Sequence, residues 1–333
     1  MITPHLPLID LHRHLDGNVR LETIIDLGLQ HNIDLPANDV EALRPYVQVT
    51  DPQPGVMAFI EKFKWMVAVL ADYSACYRIA YENVLDAANE GLDYVELRFS
   101  PWFMAEPHGL DPVGVVEAVV SGTESGSQEA KIPVNLIGIL SRTYGEEIAR
   151  DELAALLTQA DHLVALDLAG DEANFPGIRF SAHCRKAREA GLALTIHAGE
   201  AGGAESVWQA IRDLGAVRIG HAIHAVEDDQ LMDFIVANEI GIECNLTSNV
   251  QTSTVLNYAS HPIKTFLELG ALATINTDDP GISGITLPYE YEVAAPAAGL
   301  TSVQIQTAQR NALEVAFLTI AEKEVLLAKK SFG

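Results

Sequence analysis

Apolar residues recur along the chain in short continuous runs. Strands that are buried on both faces of a parallel sheet have this continuous pattern, whereas half-exposed strands alternate apolar and polar residues. The chain has eight such runs, at Leu8–His12, Tyr94–Ser100, Val134–Ser141, Leu163–Ala169, Leu192–His197, Val217–His221, Gly241–Leu246 and Ala271–Asn276. The sequence therefore predicts eight buried parallel strands.

Segments with helical periodicity separate the later strands. Gly191, Gly215 and Gly270 follow three of these segments, as glycine commonly does at helix C-termini. The helical segments are Pro112–Ser121, Arg150–Ala160, Phe180–Ala190, Ala204–Leu214, Glu227–Asn238 and His261–Leu269. Eight strands that alternate with helices predict an α/β protein with a (β/α)₈ barrel. A doubly wound open sheet remains an alternative, because periodicity does not reveal closure.

The chain is longer than the roughly 250 residues of a typical barrel. Most of the surplus lies between the first two predicted strands, where Ala58–Leu70 and Tyr77–Glu90 have helical patterns. We expect a helical insertion over about residues 18–92, and terminal helices within Thr301–Lys330. No Pro/Gly/Ser-rich linker marks a boundary, so a single domain over residues 1–333 is predicted.

Composition and charge exclude several classes of partner. The 333 residues include 21 Lys and Arg against 46 Asp and Glu, a formal net charge of −25. A basic surface is what tracks nucleic-acid phosphates and anionic lipid headgroups, so neither nucleic acid nor a membrane surface is expected as a partner. With 48% hydrophobic and 20% charged residues, the composition is that of a globular protein rather than a disordered one.

Cysteine usage and the N-terminal segment indicate where the protein works. Cys76, Cys184 and Cys244 are widely spaced and form no C-x-x-C pair, which fits a reducing compartment and excludes a cysteine-ligated zinc site. Met1–Asp16 has no basic region followed by an apolar one, and no apolar run reaches about 18 residues. A cytoplasmic location is the expectation.

Residues that can bind a metal ion, and acidic residues, lie at or just after the ends of several predicted strands. His12 and His14 are two residues apart, so an extended chain presents both imidazoles on one face. His197 ends the fifth strand and His221 ends the sixth. The active site of a barrel lies at the C-terminal ends of its strands, so these side chains are expected at one rim.

Carboxylates accompany these histidines. Asp16 follows His14 by two residues, Glu200 follows the fifth strand, and Asp278 and Asp279 follow the eighth. Adjacent carboxylates repel each other unless a cation or a proton separates them. Taken singly, the histidines could be core or surface residues and Asp279-Pro280 could be a turn.

Together the strand-end residues indicate a metal centre. His12, His14, His197 and Asp278 would provide three nitrogens and one oxygen, a set that suits Zn²⁺ with one position left for water. Zinc lowers the pKa of a bound water towards about 7. The residues therefore predict metal-assisted hydrolysis.

At these positions the sequence resembles the adenosine deaminase family. The motifs that carry the resemblance occur in the family's order along nearly the whole chain: IDLHRHLDGN (Ile9–Asn18), YVELRFSP (Tyr94–Pro101), LDLAGDE (Leu166–Glu172), TIHAGE (Thr195–Glu200), IGHAIH (Ile219–His224), LTSN (Leu246–Asn249) and NTDDPG (Asn276–Gly281). The resemblance implies a (β/α)₈ barrel with one zinc ion per chain. It also implies hydrolytic deamination of a small-molecule purine nucleoside, adenosine or 2′-deoxyadenosine, in purine salvage.

The resemblance further implies a role for each strand-end residue. His12, His14, His197 and Asp278 would be the zinc ligands, Glu200 the proton donor to purine N1, and His221 the residue that orients the attacking water. Asp279 would contact purine N7, the backbone N–H of Gly170 would contact N3, and Asp16 would accept from the ribose 5′-hydroxyl next to His14. A carboxylate at that point favours a nucleoside over a 5′-phosphate.

Two positions depart from the family's pattern. Gly220-His221-Ala222 replaces the usual Gly-His-Gly, and Glu243-Cys244-Asn245 also differs, so the fine substrate preference is less defined than the reaction. Another 6-aminopurine, such as adenine or a 5′-modified adenosine, is an alternative substrate. A binuclear amidohydrolase is disfavoured because Leu163–Gly170 has no lysine to bridge two metals.

Further alternatives concern enzymes of other kinds and proteins without activity. The H-x-E and P-C-x-x-C signature of cytidine-type deaminases is absent. An inactive zinc-binding barrel remains the non-enzymatic alternative. Four aromatic and methionine residues of the insertion occur at helical spacing and are expected to pack in the core: Phe59, Phe63, Trp65 and Met66. An alternative is that some of them also cover the substrate as a lid. Seven further histidines are expected to be surface or structural residues: His5, His31, His108, His162, His183, His224 and His261. The sequence leaves the oligomeric state open.

Overall fold

The protein is described by a computed structural model that covers residues 2–331, so residues 1, 332 and 333 of the predicted domain lie outside the described residues. Within residues 2–331, eight parallel strands neighbour one another in chain order. They are β1 (Ile9–His14), β2 (Tyr94–Phe99), β3 (Val134–Ser141), β4 (Leu163–Ala169), β5 (Ala193–Ala198), β6 (Arg218–His221), β7 (Gly241–Cys244) and β8 (Leu272–Ile275).

Contacts just beyond β8 close the sheet into a barrel. Arg13 of β1 forms a parallel bridge with Asp278. The backbone N–H of His14 donates to the Asp278 carbonyl at 2.7 Å, and the N–H of Asp278 donates to the His12 carbonyl at 2.8 Å. The (β/α)₈ prediction is confirmed and the open doubly wound alternative is wrong. The closure also places Asp278 directly beside the two strand-end histidines.

The eight predicted strands are confirmed, with ends that differ by a few residues. β3 and β4 have the predicted bounds, whereas β1 continues for two residues to His14. His14, like His12, is buried although it is polar, which is why the predicted apolar run ends before the strand does. The pairing of β1 with β2 is irregular between Asp10 and Arg13, and the His12 and His14 side chains nevertheless both reach His197.

Helices surround the barrel, and each predicted helical segment between strands overlaps one of them. The described residues contain α1 (Leu21–His31), α2 (Val40–Val47), α3 (Val56–Ile60), α4 (Lys64–Ala68), α5 (Tyr73–Asn89), α6 (Pro101–Ala105), α7 (Pro112–Ala130), α8 (Gly145–Leu156), α9 (Ser181–Glu189), α10 (Ala204–Gln209), α11 (Asp229–Ala237), α12 (Leu246–Gln251), α13 (Ile263–Leu269), α14 (Pro280–Ser283), α15 (Leu287–Tyr289), α16 (Ala295–Ala297), α17 (Ser302–Val315) and α18 (Ile320–Ser331).

Helices α1 to α5 lie between β1 and β2, where the sequence predicts an insertion. The Asp72 carboxylate caps α5 by accepting from the Ala75 N–H at 2.8 Å. Helix α5 packs closely along α7, where a Cβ on Gly122 would come 2.4 Å from the Tyr77 carbonyl oxygen. A side chain at that glycine would separate the two helices, which explains the small residue in a long helix.

The strands form the buried centre of the molecule, and nearly every strand residue is inaccessible to solvent. Their C-terminal ends share one rim, as the parallel order requires. No helix described for residues 2–331 has both the length and the apolar character needed to cross a lipid bilayer.

Candidate metal and catalytic site

Four potential ligand atoms converge at the rim of the barrel. His197 Nε2 lies 3.1 Å from His12 Nε2 and 3.3 Å from His14 Nε2. Asp278 Oδ1 lies 3.0 Å from His12 Nε2 and 3.4 Å from His14 Nε2. Bonds of about 2.0–2.2 Å in tetrahedral geometry separate ligands by roughly 3.3–3.6 Å, so these atoms fit around one ion the size of zinc.

Hydrogen-bond partners on the far side of three of the four ligands fix their directions. Glu243 Oε2 lies 2.7 Å from His12 Nδ1, and Asp167 Oδ1 lies 3.0 Å from His197 Nδ1. Each imidazole therefore donates its Nδ1–H to a carboxylate and directs the Nε2 lone pair towards the centre of the site. Ser248 Oγ donates to Asp278 Oδ2 at 2.6 Å, which leaves Oδ1 free to face the histidines.

One buried arginine joins the two supporting carboxylates. The Arg98 guanidinium donates to Asp167 Oδ2 and to Glu243 Oε2, both at 2.8 Å. It also donates to the Leu11 carbonyl at 2.7 Å, and its side chain is fully buried. Arg98 thereby links the carboxylates that contact His12 and His197.

The protonation states of the histidines follow from burial and from nearby charge. Burial lowers the pKa of His197 to about 3, and burial together with Arg98 lowers the pKa of His12, so both rings are neutral. Burial alone would also lower the pKa of His14, but Asp279, Asp16 and Asp278 outweigh it and raise that pKa to about 9. The acidic surroundings of His14 therefore favour positive charge at this site.

Glu200 and His221 lie together beside the ligand atoms. His221 Nε2 is 3.5 Å from Glu200 Oε2 and 3.9 Å from Asp278 Oδ2. His221 also falls with His12, His197 and Asp278 in one group of potential metal-binding residues whose ligand atoms lie within 4.8 Å of one another. His14 Nε2 lies 3.4 Å from an Asp278 oxygen, whereas His221 Nε2 lies 3.9 Å from one, so His14 completes the ligand set better and leaves His221 at the edge of the site.

Amide side chains orient His221. Asn249 Nδ2 lies 3.0 Å and Asn245 Nδ2 lies 3.3 Å from His221 Nδ1. His261 Nε2 contacts Asn249 Oδ1 at 3.2 Å, which directs the Asn249 amide group towards His221 and Glu200. The two amides therefore hold the ring with Nε2 towards Glu200 and Asp278.

Two of the carboxyl groups favour the protonated form. Burial raises the pKa of Glu200 to about 7, and the negative charges of Asp278 and Glu172 add to that rise. Burial and the adjacent Asp278 raise the pKa of Asp279 well above its usual range. Both groups can therefore act as hydrogen-bond donors near neutral pH.

Three carboxylate oxygens at the site have no hydrogen-bond partner in the part of the chain that the structure describes: Asp16 Oδ1, Asp278 Oδ1 and Asp279 Oδ1. Unsatisfied buried polar atoms are rare in native proteins and call for a ligand or an ion. A cation explains the Asp278 oxygen, because the three imidazole nitrogens surround it. Asp16 and Asp279 are also among the residues that line the adjoining cavity.

Gly170 lies on another wall of this cavity. Its φ is +102°, and a Cβ at this position would come 2.5 Å from Thr143 Oγ1. Both the backbone conformation and the space therefore require glycine. The absence of a side chain keeps the backbone at Gly170 open to a bound molecule.

Three residues at the site have a strained backbone conformation. His221, Ala222 and Asp278 adopt left-handed conformations with φ of +67°, +53° and +66°. Such conformations are unfavourable for residues with a Cβ and are common at functional positions. They turn the side chains of His221 and Asp278 as the chain leaves β6 and β8.

Apolar side chains of the insertion line the cavity beside the polar residues. Met57, Phe59, Ile60 and Phe63 come from α3 and the turn after it, and Phe103 comes from α6. Phe59 and Phe63 are also nearly inaccessible to solvent. Phe59 and Phe63 are therefore buried, as predicted, and they also line the cavity.

The structure brings every sequence-predicted site residue to this one rim: Glu200, His221, His12, His14, His197, Asp278, Asp16, Gly170 and Asp279. Sequence analysis did not predict the supporting roles of Asp167, Arg98, Glu243, Ser248 and Asn249. All five lie in motifs or strands that sequence analysis had identified, but a pattern of buried positions does not show which carboxylate faces which histidine.

Comparisons with known proteins agree with this geometry. A family model described as adenosine deaminase matches residues 7–330. The chain is 58% identical over 329 residues to an adenosine deaminase of Vibrio cholerae serotype O1, covering 99% of this chain and 98% of the relative. It is 59% identical over 329 residues to an adenosine deaminase of Photorhabdus laumondii, covering 99% of each chain. The crystal structure of an adenine deaminase from Arthrobacter aurescens superposes with a TM-score of 0.90 at 26% identity, covering 98% of each chain.

Proposed function

This chain belongs to the adenosine deaminase family, and from that premise we propose that it catalyses the hydrolytic deamination of adenosine and 2′-deoxyadenosine to inosine or deoxyinosine and ammonia. The observation that carries the proposal is the convergence of the four ligand atoms next to a carboxyl group whose pKa is raised to about 7. Hydrolysis at the amino-bearing carbon of a purine needs a metal centre and a proton donor in the same cavity.

The metal in this proposal is one zinc ion per chain, held by His12, His14, His197 and Asp278. Three imidazole nitrogens and one carboxylate oxygen suit zinc better than calcium or magnesium, which prefer oxygen ligands. The unpartnered Asp278 Oδ1 supports this assignment, because a cation would satisfy it. When bound, zinc supplies the Lewis acidity that makes water a nucleophile at neutral pH.

Glu200 holds the proton that the purine ring takes up at N1 when its amino-bearing carbon becomes tetrahedral. Its burial supports this role because the group stays protonated to about pH 7. His221 orients the attacking water and moves a proton towards the leaving ammonia. The Asn249 and Asn245 amides hold the His221 ring for that task.

The substrate is oriented by groups on three walls of the cavity. A protonated Asp279 donates to purine N7, and the backbone N–H of Gly170 donates to N3. Asp16 Oδ1, which lies 3.7 Å from His14 Nδ1 and has no hydrogen-bond partner within the described residues, accepts from the ribose 5′-hydroxyl. A carboxylate at this position repels a 5′-phosphate, so the nucleoside is preferred over the nucleotide.

Replacement of the proton donor tests this mechanism. We expect Glu200→Gln to lower kcat by roughly 10²–10⁴-fold with zinc content unchanged, because general acid–base groups contribute about that much. Glu205→Gln, which changes an exposed glutamate in the following helix, is the matched control. Full activity in the Glu200 variant would contradict the proposed role.

Adenine is a second candidate substrate. The superposable Arthrobacter structure is an adenine deaminase, which makes the free base a specific alternative. The two substrates differ in the ribose, and Asp16 is the group assigned to it. A comparison of adenine with adenosine turnover therefore decides between them.

The cellular setting is also a proposal. A cytoplasmic location is supported by the three free, buried cysteines, since reducing conditions preserve free thiols. We also propose that the barrel and the helices between β1 and β2 form one domain, supported by their shared apolar core.

A further inference from the structure

Glu172 lies at the rim of the barrel just after β4 and is almost completely buried. Its Oε1 accepts from the Gly199 N–H at 2.6 Å and from the Ser206 hydroxyl. Its Oε2 accepts three successive backbone N–H groups, at 3.1, 2.8 and 2.9 Å, from Glu200, Ala201 and Gly202. One carboxylate therefore serves five donors, four of which are consecutive amides of the loop that carries Glu200.

This loop has little regular structure of its own. It connects β5 to α10 and contains neither helix nor strand between Gly199 and Gly203. Gly199 has a φ of +72°, and its N–H and the next three point inwards to the Glu172 carboxylate. A concave row of backbone N–H groups that binds an anion is a recurring arrangement in proteins. Here the anion is a side chain of the same molecule.

Charge and packing hold the Glu172 carboxylate in the loop. Burial alone would raise its pKa, but the buried Arg142 guanidinium and the five hydrogen bonds outweigh burial and keep the pKa below its usual range. Arg142 itself donates to the carbonyls of Leu168 and His197, at the ends of β4 and β5. A Cβ on Gly202 would come 2.8 Å from Glu172 Oε1, so the loop closes tightly on the carboxylate.

We infer that Glu172 is a positioning residue, which orders the loop Gly199–Gly202 so that the Glu200 carboxyl group faces His221 and the substrate. The inference rests on the proposed function in so far as Glu200 is the proton donor. Glutamine at position 172 would offer one acceptor oxygen and an NH₂ group, and the NH₂ group would face N–H donors. The loop would then lose up to three of its hydrogen bonds without a large change in side-chain volume.

The test combines amide exchange with kinetics on the zinc-loaded protein. In Glu172→Gln we expect hydrogen–deuterium exchange in peptides covering residues 199–202 to be at least tenfold faster. We also expect kcat for adenosine to fall 10- to 100-fold while KM and the zinc dissociation constant stay within threefold of the wild type. A purely structural role would instead change KM, zinc affinity and exchange throughout the molecule together.

Glu290→Gln is the matched control. Glu290 is also a fully buried glutamate, and it accepts from the side chain and the backbone of Thr247. Burial raises its pKa to about 8, so it is protonated at neutral pH and glutamine imitates it closely. We expect this variant to retain wild-type kcat and wild-type exchange at residues 199–202.

Two milder variants keep the inference testable if Glu172→Gln does not fold. Ser206→Ala removes one donor and retains the charge, and we expect a two- to fivefold loss of kcat. Gly202→Ala introduces a methyl group against Oε1, and we expect faster loop exchange with a kcat loss larger than that of Ser206→Ala. Wild-type loop exchange in the folded variants would overturn the inference. Because exchange is measured without substrate, it tests the loop even if adenosine proves not to be the substrate.

Discussion

Replacement of Arg98 by methionine should weaken both the fold and the metal site. Methionine fills part of the same buried space but cannot donate to Asp167 or Glu243. Those carboxylates accept from Arg98 at 2.8 Å each, and they also orient His197 and His12. A single substitution thus disturbs the support of two proposed zinc ligands that come from different strands.

The magnitude follows from burial. Arg98 and both carboxylates are fully inaccessible to solvent. Removal of one partner from a buried ion pair destabilises a protein by about 3–5 kcal/mol, because the remaining charge is left uncompensated. Glu243 keeps its contact with Arg218 at 2.7 Å, so we expect the lower end of that range. Loss of support behind a metal ligand weakens metal binding by roughly 10- to 100-fold.

The assay measures zinc affinity by competition with a chromogenic chelator and the free energy of unfolding by denaturant titration of the metal-free protein. Arg179→Met is the matched control, since Arg179 binds the Glu146 carboxylate through two nitrogens at 2.7 and 2.6 Å but on the exposed surface. We expect the control to retain wild-type zinc affinity. Zinc affinity within twofold of the wild type in Arg98→Met, with stability lowered by less than about 1 kcal/mol, would refute the reasoning.

Three further predictions concern catalysis and backbone strain. Burial raises the pKa of Glu200 to about 7, and catalysis needs the protonated form, so kcat/KM should fall as the pH rises above about 7. A value of kcat/KM that stays constant up to pH 9 would contradict the role of Glu200 as proton donor. Asp16→Ala should lower kcat/KM for adenosine by roughly 10- to 100-fold, the range for a hydrogen bond to a charged group, and leave adenine turnover unchanged, as steady-state kinetics would reveal. Ala222→Gly should relieve about 1–2 kcal/mol of strain from the left-handed backbone conformation. It also removes a buried methyl group, which costs about 0.8 kcal/mol, and increases the entropy of the unfolded chain, which costs about 0.5–1 kcal/mol. Because these effects nearly cancel, the free energy of unfolding should change by less than about 1 kcal/mol. Destabilisation by more than about 3 kcal/mol in denaturant titration would show that the methyl group has a larger packing role.

Much of the fold could be predicted because buried parallel strands leave a direct signal in the sequence. The run Leu163–Ala169 is apolar except for Asp167, and the strand has those bounds. Closure could not be derived from periodicity, because it depends on backbone hydrogen bonds between His14 and Asp278, which are far apart in the chain. The alternation of eight strands with helices favoured a barrel but left an open sheet as an alternative, and the family resemblance also implied a barrel.

The candidate site was predictable to the extent that its residues follow strands. His12, His197 and Asp278 lie where apolar runs end, and parallel strands bring those ends together. Glu172 could not be recognised in this way, because its role depends on a loop that folds back from the next strand. His261 was expected to be a surface or structural residue, yet it is buried and contacts Asn249, which orients His221.

The most direct test of the proposed function is the decrease in ultraviolet absorbance on deamination by purified protein of known zinc content, with adenosine, adenine and adenosine 5′-monophosphate assayed in parallel. We predict rapid conversion of adenosine with one zinc ion per chain, and little conversion of the other two compounds. Conversion of adenine alone would contradict the role of Asp16 in ribose binding. Failure to convert any of the three by fully zinc-loaded protein would contradict the proposed reaction.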